Sequence, residues 1–236
     1  MKLNNDQSLL SIMSACNSIE TFTTNLFVGP SLYFHQKALE CYEKEFLSDR
    51  HLEYVYATLV AWGMHRMGPG GAKMPNYDDF KGSIIAHKEA LEKLRDKRIE
   101  DITIDEIDSI IEELSIICFS IKGTNSKSHL VSGSKTLAHI LPNIVCPIDR
   151  QYTCQFFGIT PNSKNEQTIF KDVIRQMWEF YQNLHHIKLL KPILGQPFNE
   201  SYPKIFDNLI IEYQKKNSSN GITSKKTHKK VKPKVL

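Results

Sequence analysis

No two of the five cysteines, at positions 16, 41, 118, 146 and 154, stand in a CxxC pair, and an odd number cannot close a complete disulfide framework. Their spacing also keeps four thiolates from clustering locally. Neither a structural zinc nor an iron–sulfur cluster is therefore expected, and no other cofactor is implied. Reduced thiols in a cytoplasmic protein fit this usage. Long apolar runs are missing too: no stretch approaches the length needed to cross a bilayer, so no membrane partner is expected. Met13-Ser14-Ala15-Cys16 has the look of a lipoprotein box, but Asn4, Asn5, Asp6 and Gln7 stand before it where a signal peptide needs an apolar segment. Alternating β-branched stretches, a fixed-period repeat and a GxxxxGK[ST] loop are likewise absent.

Helical periodicity is what the chain does have. With 236 residues, 41% of them hydrophobic and 24% charged, it can close one large all-α domain over 1–213, or two small helical lobes about a cleft. Apolar spacing and capping residues predict helices over about 6–27, 31–49, 52–66, 78–98, 104–121, 165–190 and 201–213. The 52–66 segment is apolar enough to be central. The 78–98 helix reads as charged and solvent-facing. Between them MGPGGAKMPNY, with three glycines and two prolines, marks a loop.

Acids are missing from the C-terminal end. From Gln214 to Leu236 there are eight lysines and no carboxylate, against a whole-chain charge of +4. That stretch has little to bury and is expected to be a disordered tail over 214–236. It is either a solubilising extension or an electrostatic arm for phosphate, without aromatics to read a sequence.

One stretch carries more chemistry than its structure demands: LVSGSKTLAHILPNIVCPIDRQYTCQFF, from Leu130 to Phe157. Its glycine predicts a turn at Gly133 between a short helix and a second one over Thr136–Leu141. An apolar run then leads to Asp149, which heads the helix RQYTCQFF and is well placed to cap it. Lys135 sits in what would be a first helical turn, an electrostatically poor place for a cation.

Helix, glycine turn, Lys-Thr and a following aspartate together resemble the helix-hairpin-helix DNA glycosylases, the type with a Gly/Pro-rich loop and an aspartate. Val131 stands where the first hairpin glycine is expected, the interval from Lys135 to Asp149 is shorter than in that family, and Tyr152 replaces its histidine. The resemblance implies an all-α enzyme that acts as a monomer on damaged duplex DNA, with Lys135 as nucleophile and Asp149 as the acid that stabilises positive charge on the sugar. It also implies phosphate contacts from Gly133, Ser134 and Arg150. A flipped base needs an aromatic pocket. Trp62, His65, Phe156 and Trp178 are the candidates, with Tyr56 and Phe157 behind them, and each also fits a packing role. The wider pattern of YATLVAWGMHR, SKTLAHILP and PIDRQYT is similar to uncharacterised microbial proteins, which implies no activity. The competing reading is a non-catalytic helical module that binds nucleic acid or protein, with Asp149 serving only as a cap. The two differ in whether Lys135 and Asp149 meet at an aromatic-lined cleft.

Overall fold

The computed structural model describes residues 29–68, 71–162, 164–196 and 198–226. The helix expected over 6–27, the Met13–Cys16 box and residues 227–236 of the tail lie outside the described residues. Within them the protein is all-helical apart from one small hairpin. Two helices open it, α1 (Pro30–Lys44) and α2 (Asp49–Ala61), followed by the two-residue strands β1 (Met67–Gly68) and β2 (Gly71–Ala72), which pair antiparallel. Next come α3 (Tyr77–Ile85), α4 (Lys88–Leu94), α5 (Ile107–Ser120) and α6 (Leu130–Ile140). The last four are α7 (Thr153–Phe156), α8 (Glu166–Tyr181), α9 (Leu184–Leu190) and α10 (Tyr202–Lys226). No helix among the described residues is long and apolar enough to cross a membrane.

Local chemistry sets several boundaries. Pro30 in the first turn of α1 fits where a backbone donor is not needed. Ser48, Asn76 and Asn183 accept hydrogen bonds from the amides of His51, Asp79 and His185 and start α2, α3 and α9. The Asn183 cap breaks the helix expected over 165–190 into α8 and α9, so Leu184 stands exposed rather than in the core. The 78–98 segment is likewise two helices, and it is not a wholly solvated face: Phe80, Ile84, Leu91 and Leu94 are buried. α10 continues past Tyr213 to Lys226. Propagating an anchored helix costs little, and lysine and glutamine are good helix formers.

Helix α6 is the hub, packed against α1, α2, α5 and α8. The turn expected at Gly133 is not formed. Leu130–Ile140 is one continuous helix, and the Gly133 amide donates within it to the His129 carbonyl at 2.8 Å. Gly133 serves packing instead: a Cβ there would lie 2.3 Å from the Cys118 carbonyl oxygen of α5. Two helix backbones meet where the side chain is missing.

The N-terminus of α6 is capped from a distance. Glu166 is buried, and its Oε2 accepts the amides of His129 at 2.9 Å and Leu130 at 3.3 Å, while Oε1 accepts the Ser128 hydroxyl. A carboxylate on exposed helix amides makes charge-assisted bonds and complements the dipole. Glu166→Ala is expected to lower unfolding free energy by roughly 2–4 kcal/mol, since several charged hydrogen bonds go together. Urea unfolding of the two proteins measures it, and a loss under about 0.5 kcal/mol would refute this role.

Candidate active site

The order Ser-Gly-Ser-Lys-Thr on α6 becomes intelligible in three dimensions. Gly133 lets α5 approach on one side. Ser134, fully buried, turns to the other, where its hydroxyl accepts the Ile148 amide at 3.0 Å. That bond holds the apolar run after Pro142 against α6 and delivers the next residue, Asp149, beside Lys135. Asp149 is then fixed by its own turn: Oδ1 accepts the Tyr152 amide at 2.7 Å, and its own amide donates to the Thr153 hydroxyl at 3.2 Å. Asp149 does not cap the helix expected over RQYTCQFF, which runs only over Thr153–Phe156 with Tyr152 at its N-cap position; it closes the turn before that helix, with one carboxylate oxygen. Among the described residues nothing pairs with Oδ2.

Lys135 and Asp149 line the same cavity, of about 370 Å³. Its walls are Trp62, Gly63 and Arg66 after α2, Pro147 and Tyr152 around Asp149, Phe198, and the α10 residues Lys204, Asp207, Asn208 and Ile211. Gly63, with a φ of +79°, is the left-handed turn that lets Trp62 and Arg66 face one space. The Lys135 ammonium lies 5.5 Å from the Trp62 ring centroid and that of Lys204 6.0 Å from it. The indole is thus the floor under two cations. Lys204 is ion-paired with Asp207 at 2.6 Å. Lys135 has no ion pair among the described residues. Burial pushes its amine below the usual lysine value, and the neighbouring Lys204 charge adds to this, against the opposing pull of Asp149 and Asp207.

Phe198 bounds the cavity from a left-handed backbone conformation, φ 65°, that non-glycine residues rarely adopt. Its amide donates to Glu200 at 2.7 Å, and its ring stacks on His35 with centroids 5.5 Å apart. Behind Trp62 runs a line of buried histidines. His139 Nδ1 donates to the Lys135 carbonyl at 2.8 Å, which fixes its tautomer and leaves Nε2 to accept from His35 Nδ1 at 3.0 Å. His35 Nε2 lies 3.4 Å from Glu200. Burial disfavours the Glu200 anion, but the His35 hydrogen bond, its charge and backbone donors together hold the carboxyl below its ordinary range.

His51 adds a pH dependence. It is fully buried, and burial pushes it from an ordinary 6.5 down to about 4. The unfolded chain therefore binds a proton between those values that the folded chain does not. Stability is complete above pH 6.5 and is lost as the pH falls toward 4, by about 3 kcal/mol for this group. Melting temperatures across that interval should fall for the wild type and fall less for His51→Gln. Parallel curves would contradict it.

The other residues singled out in the sequence are placed elsewhere. Gly133 and Ser134 are buried within the α6 packing, so no hairpin offers their amides to a phosphate. Arg150 is exposed but turns to Ser128, 2.7 Å away, and to Glu166, and does not line the cavity. Of the base-pocket candidates only Trp62 does. His65 is an exposed side chain bonded to the Val60 carbonyl. Phe156 packs edge-on against Phe157 and Tyr213. Trp178 is buried and donates to the Ile102 carbonyl at 2.9 Å. Tyr56 bonds the Pro75 carbonyl.

Sequence reasoning missed Arg66, Lys204, Asp207 and Asn208. A signal for the last three exists: in YPKIFDNLII they recur at i, i+3 and i+4 on a helix whose Ile205, Phe206, Leu209 and Ile210 are buried. A polar stripe on a helix that buries its apolar residues marks a second face. Comparison with family models, with curated proteins and with solved structures finds no match.

Proposed function

We propose that the cavity cleaves an N-glycosidic bond in DNA, with the Lys135 amine as nucleophile at C1′ and the Asp149 carboxylate as the stabiliser of the cationic sugar. One observation carries the reading: a half-buried amine from α6 and a half-committed carboxylate from the segment after it converge on one aromatic-floored cavity. A lysine nucleophile needs a partly neutral amine, which desolvation favours. An oxocarbenium-like sugar needs a fixed anion, and Asp149 Oδ2 is available because Oδ1 holds the turn. About 370 Å³ is within the usual size of a small-molecule pocket, so a single nucleotide is the natural occupant and a duplex base would have to flip into it. Arg66, exposed and without an ion pair among the described residues, is suited to a flanking phosphate.

The turn that Asp149 closes also supports a second reading, a helical binding module without catalysis. Borohydride separates the two. Incubation of the full chain with duplexes holding a damaged base or an abasic site should leave a reduced protein–DNA adduct at Lys135, located by mass spectrometry. DNA binding with no adduct at Lys135 on any of a panel of common lesions would leave the binding module standing.

A further inference from the structure

We infer that Asp207 is the proton acceptor and carrier for the Lys135 amine in this cavity, an assignment that rests on the glycosidic reading of the site. Asp207 is 5% exposed and projects from α10 into the same space as Lys135 and Asp149. Its Oδ2 takes the Lys204 ammonium at 2.6 Å. Oδ1 has no hydrogen-bond partner among the described residues, and the residue lines the cavity.

A structural ion pair does not account for this. Lys204 and Asp207 are three residues apart on one helix, so their bond ties α10 to nothing else. Both side chains are nonetheless withdrawn from water, to 15% and 6% exposure, and burial of such a pair can cost more than its attraction returns. Their place on the wall of the cavity that Lys135 lines gives the burial a purpose. Burial raises the Asp207 carboxyl and Asp149 reinforces this, against Lys204 and Lys135, while burial lowers the Lys135 amine. The two groups line one cavity without a direct ion pair between them, so the proton passes through one water or once the side chains close to hydrogen-bond reach. The titratable groups about Asp207 are Lys204 on its own helix, Lys135 on α6, Arg66 after α2, and Cys146, Asp149 and Tyr152 in the segment between α6 and α7.

The proton balance closes. The ammonium of Lys135 gives a proton to Asp207, and the freed lone pair forms the Nζ–C1′ bond. The C1′–N bond breaks, its electron pair leaves with the base, and Asp207 returns the proton to that base. A second proton from Nζ then passes by way of Asp207 to O4′ as the C1′–O4′ bond opens. An iminium remains on Lys135, and Asp207 is again a carboxylate. No oxidant or co-reactant is required.

The test is the pH profile of borohydride trapping on a duplex with an abasic site. Asp207→Asn alone would strand the buried Lys204 charge, so the informative pair is Lys204→Met and Lys204→Met/Asp207→Asn, each checked for a cooperative melt. Lys204→Met should trap with its acidic limb moved to higher pH, because the carboxyl loses its cation. The double variant should trap at least 100-fold more slowly at neutral pH and recover as the pH rises toward the range where lysine deprotonates in water. Equal rates and profiles for the two overturn the assignment, as does a loss in the double variant that is uniform across pH. If the double variant does not melt cooperatively, the Lys204→Met profile decides: an unmoved acidic limb overturns it. If the wild type forms no adduct at Lys135, this assignment and the glycosidic reading fall together.

Discussion

Lys135→Gln is expected to abolish the borohydride adduct and strand cleavage, while leaving the protein folded and able to bind DNA. In the proposed mechanism the amine forms the covalent bond, so no partial activity at this position should survive its removal. Folding should tolerate the change, since the Lys135 ammonium makes no ion pair among the described residues and rests on the Trp62 ring. Asp149→Asn keeps the shape of the turn, because its amide oxygen still accepts the Tyr152 amide, but removes the charge. Base release should fall roughly 10²–10³-fold, the scale of one lost group that stabilises a developing charge. Gel analysis of wild type and both variants on one lesion-bearing duplex decides the matter. Lysines of the C-terminal stretch can give a background of unspecific adduct, which Lys135→Gln would retain and the difference would remove. An unchanged adduct in Lys135→Gln, combined with a melted Asp149→Asn, would show that the acid only closes a turn and the lysine is not a nucleophile.

Gly133→Ala should be the most disruptive small substitution in the fold. The added methyl would stand 2.3 Å from the Cys118 carbonyl oxygen and 2.7 Å from its sulfur, with backbone rather than a flexible side chain in the way. α5 and α6 must separate, and overpacking of this kind costs about 1–3 kcal/mol or more, against a gain of about 1 kcal/mol in helix propensity. Gly82 supplies the control. It too is inside a helix, but a Cβ there meets nothing within 4 Å. Gly82→Ala should therefore stabilise by about 0.5–1 kcal/mol. Thermal melts of the two variants should move in opposite directions. A Gly133→Ala protein as stable as the wild type would mean that the helices do not pack this closely. Because Ser134 and Lys135 follow directly, the destabilised variant should also disturb the cavity that Lys135 lines.

Much of the helical plan is legible in the sequence because its causes are local. Ser48 and Asn76 cap their helices through bonds three residues long. The apolar spacing in 52–66 predicts a central helix, and Leu52, Val55 and Leu59 are fully buried. Lys135 stands out because a cation fits poorly in the first helical turn that the sequence suggests, a turn the structure replaces with the middle of α6. Asp149 stands at a place the local pattern itself favours for an acid. What the sequence by itself determined is thus an all-α chain and two candidate residues in it. Only the tertiary structure decided that they share a cavity. Whether Gly133 makes a turn or a helix contact depends on Cys118, fifteen positions earlier, because a glycine permits either and only a neighbour selects. Which aromatic meets the lysine depends on α2 crossing α6. The cations and second carboxylate around it come from Arg66 and from α10, remote in the chain and brought together by the burial of faces that carry no chemistry at all. Hydrophobic burial is non-directional along the sequence, so it fixes where distant polar groups meet without leaving a local record of their meeting.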